Sequence, residues 1–169
     1  MLKKTKKNNK EFTTKHLKIR KADVSDIIHI QQLIQPFANS NEMLPRPIHD
    51  LIEGLRDFFV VEDIKQKIIA CAALHITWFD IAEVRSLAIS KEYQKMGIGK
   101  MLMENLIEDA RKFKLKKIFA LTYKPDFFKK FDFRIISKDD LPKKVWNDCI
   151  KCPKFPNCDE IAVIRDLDS

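Results

Sequence analysis

The chain has 169 residues, 32 of them basic and 24 acidic for a net charge of +8, with 45% hydrophobic residues and four cysteines. That length suits one domain able to bury its own core without staples or metals, and no apolar run approaches the ~18 residues of a membrane span. The first twenty residues hold eight basic side chains against Glu11 alone, so the positive excess sits in a segment without apolar periodicity rather than on a folded stripe built to grip nucleic acid.

Residues 1–16 are accordingly expected to form a solvated, disordered basic tail, and 17–169 a single folded domain. The early lysines are not followed by the apolar stretch of a secretory leader, which predicts a cytoplasmic protein with reduced thiols. Leu17 and Ile19 alternating with charge predict a strand over 17–21. Asp23 can then cap a helix whose stripe is Val24, Ile27, Ile28, Ile30, Leu33 and Ile34, stopping at Pro36. Pro45 and Pro47 around Arg46 mark a loop over 37–47, followed by a short helix over 48–54. Three β-rich runs come next at 58–61, 68–77 and 81–89, too closely spaced for parallel crossovers and so an antiparallel meander. Ile98, Met101, Leu102, Leu106, Ala110 and Phe113 share a helical period, and 117–122 reads as a buried strand, completing a βαβ unit. The remainder predicts a short helix over 125–130, a strand near Phe133, a helix over 139–150 and a last strand over 161–164. The fold class is α/β: helices around one mixed sheet.

Two of the three glycines, Gly97 and Gly99, fall in Gln94-Lys95-Met96-Gly97-Ile98-Gly99, where a strand hands over to a helix. Bare backbone admits a close ligand, and the first N–H groups of a helix have no internal partners, so a pyrophosphate suits the place. Lys95 and Lys100 add positive charge. A tight strand-to-helix turn explains the glycines equally well by itself. A dinucleotide fingerprint, with its third glycine and distant acid, is missing, as is a P-loop.

The run from Val84 to Ile89, followed by Tyr93-Gln94-Lys95-Met96-Gly97-Ile98-Gly99-Lys100-Met101-Leu102, resembles the coenzyme A motif of the Gcn5-related N-acetyltransferases, the GNAT superfamily. Further strings are similar to the short, kinase-less bacterial N-acetylglutamate synthases. They are Met43 to Arg46, Cys71 to His75, Glu83 to Ala88, Leu121 to Tyr123, and the unusual Val145-Trp146 stretch that runs through Cys149, Cys152 and Cys158 to Glu160. The resemblance implies the GNAT fold, with central strands splayed, and acetyl-coenzyme A as cosubstrate. It places Leu87, Ala88 and Ile89 along the pantetheine arm, and Gln94, Lys95, Met96, Gly97, Ile98, Gly99 and Lys100 around the phosphates. It also implies transfer of acetyl to the amino group of L-glutamate, the entry to arginine synthesis.

An ammonium group has no lone pair, so the transfer needs a base, and Glu83 at the start of the strand leading into the loop is the candidate. Strand alternation predicts Glu83, Arg85 and Leu87 on one face and Val84, Ser86 and Ala88 on the other. An ion pair with Arg85 is the plainer account of Glu83. A dicarboxylate calls for guanidinium groups, which points to Arg46 and Arg85, with Arg20 and Lys124 behind them. The tyrosine that many members of the superfamily use as acid falls at Phe128, and its Gly-Phe pair at Asp132-Phe133, so Tyr123 is the candidate acid, with water or stabilisation of the thiolate by the site as alternatives, and Asp132 is expected to strain its turn. Cys149, Cys152 and Cys158 lack the second ligand pair of a structural zinc site, even with Cys71, Asp159 or a histidine added, and read as free thiols; no metal is expected. His75 reads as a core or pocket histidine. The expected partners are therefore small molecules, with no specific nucleic acid and no membrane, and monomer and homodimer are both open. Acetylation of another amine, or a silent module that only binds acetyl-coenzyme A, are the competing functions.

Overall fold

Ile19 and Arg20, half-buried between exposed lysines, form β1 (Lys18–Lys21). The computed structural model describes residues 14–150 and 152–167, apart from the side chains of residues 15, 144, 147 and 148. Most of the predicted basic tail lies outside the described residues, but its last three positions, Thr14–His16, form a 3-10 turn. Asp23 caps a second such turn through a reciprocal bond pair with Ser25 and Asp26. From it runs α1 (Ile27–Asn39), burying Ile27, Ile30 and Ile34.

Pro36 does not end this helix, contrary to expectation. It lies inside α1, and because its position is exposed, water can satisfy the carbonyl that its missing N–H abandons. The stop comes at Asn41, whose φ of 57° is left-handed, with the amide of Glu42 returning to the carbonyl of Phe37.

After α2 (Ile48–Glu53) come β2 (Phe58–Glu62), β3 (Ile68–Trp78) and β4 (Ile81–Ile89), each antiparallel to its neighbour. The α3 helix (Ile98–Lys112) then leads to β5 (Lys117–Thr122), parallel to β4. The order closes with α4 (Pro125–Lys129), β6 (Arg134–Ile136), α5 (Lys143–Ile150) and β7 (Ile161–Asp166) in a seven-stranded sheet ordered β1-β2-β3-β4-β5-β7-β6. Meander and βαβ unit are thus as the sequence predicts. The helix predicted over 139–150 starts later, because Pro142 disfavours helical backbone at Leu141 before it; a separate 3-10 turn occupies Lys138–Asp140. The strand predicted near Phe133 is β6, which begins at the next residue, and Phe133 itself is buried, 4% exposed.

The sheet has a helix layer on each face. One core gathers Ile98, Leu102, Met103, Leu106 and Ile107 of α3 against Ile69, Ala82, Val84, Ile118 and Val163. On the other face α1 and α2 cover Val60, Cys71, Ala73 and Ala88, while α5 covers Ile81, Phe119 and Ala162. Each fully buried aliphatic side chain contributes roughly 1.5–3 kcal/mol, so α3 is seated firmly enough to hold the loop at its start in place.

Two irregularities in β4 set the geometry around it. Its pairing with β5 covers only Ile81, Ala82 and Glu83, opposite Lys117, Ile118 and Phe119; both strands continue beyond, and so they part. The antiparallel register with β3 also slips between Cys71 and Ala73, where Ser86 takes a left-handed φ of 56°. This extra residue is a β-bulge. It corrects the predicted alternation: Val84 packs in the α3 core and Ala88 in the α1 core, so Glu83 and Arg85 face the α1, α2 and α5 side, whereas Leu87 and Ile89 face α3.

Arg20, a secondary candidate for carboxylate binding in the sequence, is a structural residue. Its guanidinium bonds Asp26 at 2.6 and 2.9 Å and Glu62 at 2.6 Å. Burial would push the Asp26 carboxyl up, but the bonds from Arg20 and from the Asp23 amide outweigh it and hold the group below its ordinary value. The resulting stability is complete above the unfolded aspartate value and is lost as pH falls through the lower folded one. Arg20→Ala leaves Asp26 buried and uncompensated and should cost about 3 kcal/mol in denaturant titration, together with most of that acid dependence. Unchanged stability would make the cluster ornamental.

Candidate functional site

Where β4 and β5 diverge, backbone groups of β4 beyond Glu83 have no strand on that side. The gap opens into a cleft of about 1130 Å³ lined by Leu87 and Ile89 of β4, by Gln94, Lys95, Gly97, Gly99 and Lys100, and by Tyr123, Phe127 and Phe128 beyond β5. Strand edges inside a protein need hydrogen-bond partners, and an extended amide-bearing arm laid along β4 would supply them.

At one end of the cleft the chain turns into α3. Lys95 and Gly97 both have left-handed φ, 63° and 83°, and Gly97 caps α3 without any side-chain hydrogen bond. The first amides of α3 are therefore left for a ligand, with the positive end of the helix dipole behind them. Gly99 is needed for a second reason: a Cβ there would sit 3.0 Å from the Phe127 ring. Ile98 and Ala88 turn their side chains into the cores, each 1% exposed, and Met96 does not line the cleft, so these three have only backbone to offer a coenzyme.

A second cavity of about 730 Å³ lies on the α1, α2 and α5 side, between Pro45, Pro47 and Asp57 on one flank and Lys138, Trp146, Cys149 and Cys158 on another. Six residues line both spaces: Leu44, Arg46, Glu83, Arg85, Leu121 and Glu160. The two cavities thus meet at two arginines and two glutamates.

Arg46 reaches this junction from the loop between α1 and α2, its Nε donating to the Ser86 hydroxyl at the bulge over 3.3 Å. Arg85 pairs with Glu83, Nη2 to Oε2 3.0 Å. His75, cross-strand from Glu83, lies in the second cavity with its Nδ1 2.7 Å from Asp57 Oδ2. Lys124 instead pairs with Glu42 at the cleft, 2.8 Å. Glu160, half-buried just ahead of β7, has the Cys158 thiol 3.8 Å from its Oε2. Burial foremost, and then the like charge of Glu83, push its carboxyl up, with Lys154 pulling the other way.

Tyr123 lines the cleft, but its hydroxyl is engaged, donating to Asp159 Oδ1 at 2.5 Å and contacting the Lys154 ammonium. Asp132 takes a left-handed φ of 61°, as its place in the turn requires. Phe128 is buried against Phe127 and Phe133. The four cysteines are thiols rather than disulfides, Cys71 buried in the α1 core and the other three half-buried. Among the described residues no group of three or more His, Cys, Asp or Glu could hold a metal ion, and no helix is long and apolar enough to cross a membrane.

The model of the "Acetyltransferase (GNAT) family" matches residues 24–133. The chain belongs to this family. It is thus an acyl-transferring enzyme that uses acetyl-coenzyme A, and its mixed sheet with parted central strands is the GNAT fold. An "Uncharacterized N-acetyltransferase" of Chlorobaculum tepidum is 36% identical over 149 residues, 88% of this chain and 96% of the relative. An "Amino-acid acetyltransferase" of Mycobacterium tuberculosis is 30% identical over 132 residues, 77% of this chain and 75% of the relative. Among solved structures, the N-acetylglutamate synthase of Neisseria gonorrhoeae complexed with coenzyme A and N-acetyl-glutamate superposes with a TM-score of 0.82 at 28% identity, over 90% of this chain and 35% of that one.

Sequence reasoning assigns roles to Arg46, Glu83 and Arg85, which the structure brings together, and overlooks Glu160 and the bulge at Ser86. Alternation back from Ala162 puts Glu160 on the Glu83 face, but no sequence signal says that the start of β7 borders the opening beyond β4.

Proposed function

We propose that this enzyme transfers the acetyl group of acetyl-coenzyme A to the α-amino group of an acidic amino acid, L-glutamate, the opening step of arginine synthesis. The observation that carries the reading is the junction, where Arg46 and Arg85 line both the coenzyme cleft and the neighbouring cavity. Guanidinium groups there can hold the acceptor's carboxylates bidentately and leave its amine facing the thioester. The amino-acid acetyltransferase relative and the N-acetyl-glutamate in the Neisseria gonorrhoeae structure support the same acceptor. Leu87 and Ile89 would flank the pantetheine arm, while Gln94 to Lys100 would hold the pyrophosphate, largely through backbone amides. Glu83 and Glu160 are the carboxylates beside the amine. A panel of twenty amino acids and several polyamines, monitored by thiol release, tests the proposal: glutamate should give the highest kcat/KM. A polyamine at the top would favour the second reading, a cationic acceptor drawn by Asp50, Glu53 and Asp57, which also line the second cavity.

Tyr123 fits a tie better than an acid. Burial first, and then its bond to Asp159, raise the phenol above its ordinary value, with Lys154 opposing. A phenol held above its ordinary value near ~10 is a weaker proton donor to a leaving thiolate. In this reading Tyr123 anchors the segment carrying Lys154, Asp159 and Glu160 beside the cleft. Tyr123→Phe should therefore reduce turnover less than ~10-fold, well short of the ~10²–10⁴ expected for a lost general acid. A loss in that larger range would restore the acid role.

A further inference from the structure

The transfer requires that an ammonium lose its proton before nitrogen can attack, and two carboxylates border the place where this happens. Both lie on the same face of the sheet, Glu83 on β4 and Glu160 just before β7, on opposite sides of the gap between β4 and β5. Their surroundings differ. Glu83 carries the Arg85 guanidinium at 3.0 Å. Glu160 has a thiol at 3.8 Å and stands just ahead of β7, the strand beyond β5.

We propose that Glu160 is the general base of the reaction, while Glu83 is held by Arg85 on the other side of the junction. The proposal rests on the reading that an ammonium-bearing acceptor occupies the second cavity. The groups facing Glu160 are Glu83 from β4 and Lys154, Cys158 and Asp159 from the segment before β7, with Arg46 and Arg85 sharing the junction. Their net effect, with burial the largest part, is a carboxyl that holds its proton more strongly than usual, which brings a glutamate closer to the working pH of a base.

One N–H proton of the ammonium passes to the Glu160 carboxylate, and the freed amine nitrogen bonds to the acetyl carbonyl carbon. As the carbon–sulfur bond breaks, the sulfur leaves with its electron pair and takes the second proton that the nitrogen must shed to become an amide. Glu160 then returns its proton to solvent, and the protons balance.

The test combines a titration with kinetics. In protein labelled with 13C at glutamate carboxyls, the Glu160 signal, assigned through Glu160→Gln, should titrate above the ordinary glutamate value near ~4.3 and move to lower pH in Glu83→Gln. The acid limb of kcat against pH should shift the same way in Glu83→Gln, with turnover falling about tenfold. Glu160→Gln should lose ~10²–10⁴ in kcat, lose that limb, and bind acetyl-coenzyme A as tightly as wild type by calorimetry. A Glu160 signal at or below the ordinary value overturns the proposal, as does a Glu160→Gln enzyme with wild-type turnover and limb. If Glu160→Gln does not fold, Glu160→Asp and direct assignment in the wild type decide. Should no amine release thiol, the functional reading fails separately, and the titration still decides whether Glu160 has the character of a base.

Discussion

Gly99→Asp should abolish acetyl-coenzyme A binding in a protein that still folds, the largest effect expected of any single substitution at the cleft. Two forces act together. A Cβ at this position meets the Phe127 ring at 3.0 Å, so the ring, which lines the cleft, must move. The carboxylate then sits in the first turn of α3, where the amides and helix dipole that suit a pyrophosphate are filled by a negative charge of the protein's own. Gly99→Ala separates the two, keeping the contact with Phe127 while removing the charge, and should weaken binding only modestly by calorimetry. Wild-type affinity in Gly99→Asp would move the pyrophosphate elsewhere in the cleft.

Replacing Arg46 or Arg85 by Ala should cost about 2–5 kcal/mol in transition-state stabilisation, roughly 30- to 4,000-fold in kcat/KM for glutamate. That is the range for a charge left without its partner in a desolvated site, and the loss should appear against glutamate concentration. The two variants should nevertheless differ. Arg46 reaches the junction from a loop and holds the Ser86 hydroxyl, so its loss should fall almost wholly on the acceptor. Arg85 also holds Glu83, so its loss frees that carboxylate, and the pH profile should change along with acceptor affinity. Coenzyme binding should survive in both, because neither arginine belongs to the turn at Gly97.

Much of this architecture is legible in the sequence, because local rules and burial point the same way. The stripe Ile98, Leu102, Leu106, Ala110 is a helix by period and is one in space, and the three runs from Phe58 to Ile89 are too close together for anything but hairpins. Period alone cannot supply the exceptions. Pro36 reads as a stop, yet an exposed proline in the last turns of a helix loses little, and the stop belongs to Asn41. Strict alternation places Leu87 beside Glu83, whereas one left-handed residue, Ser86, turns the strand over. That bulge sorts the work of β4: residues before it serve the acceptor side and residues after it the coenzyme side. Arg20 and Arg85 look alike in sequence, and only the carboxylates gathered around Arg20 mark it as structural. Glu160 illustrates a different limit, since its place at the junction depends on β7 pairing with β5 rather than on any local pattern.

Selection of the acceptor by its carboxylates falls, in this proposal, to the junction of the two cavities. It is tested most directly by kcat/KM for L-glutamate against L-glutamine, nearly the same shape without the side-chain charge, in wild type and in Arg46→Ala. A strong preference for glutamate is expected in the wild type and should collapse toward parity in the variant, with acetyl-coenzyme A affinity unchanged. Equal use of both amino acids by the wild type, or a preference untouched by loss of Arg46, would contradict it.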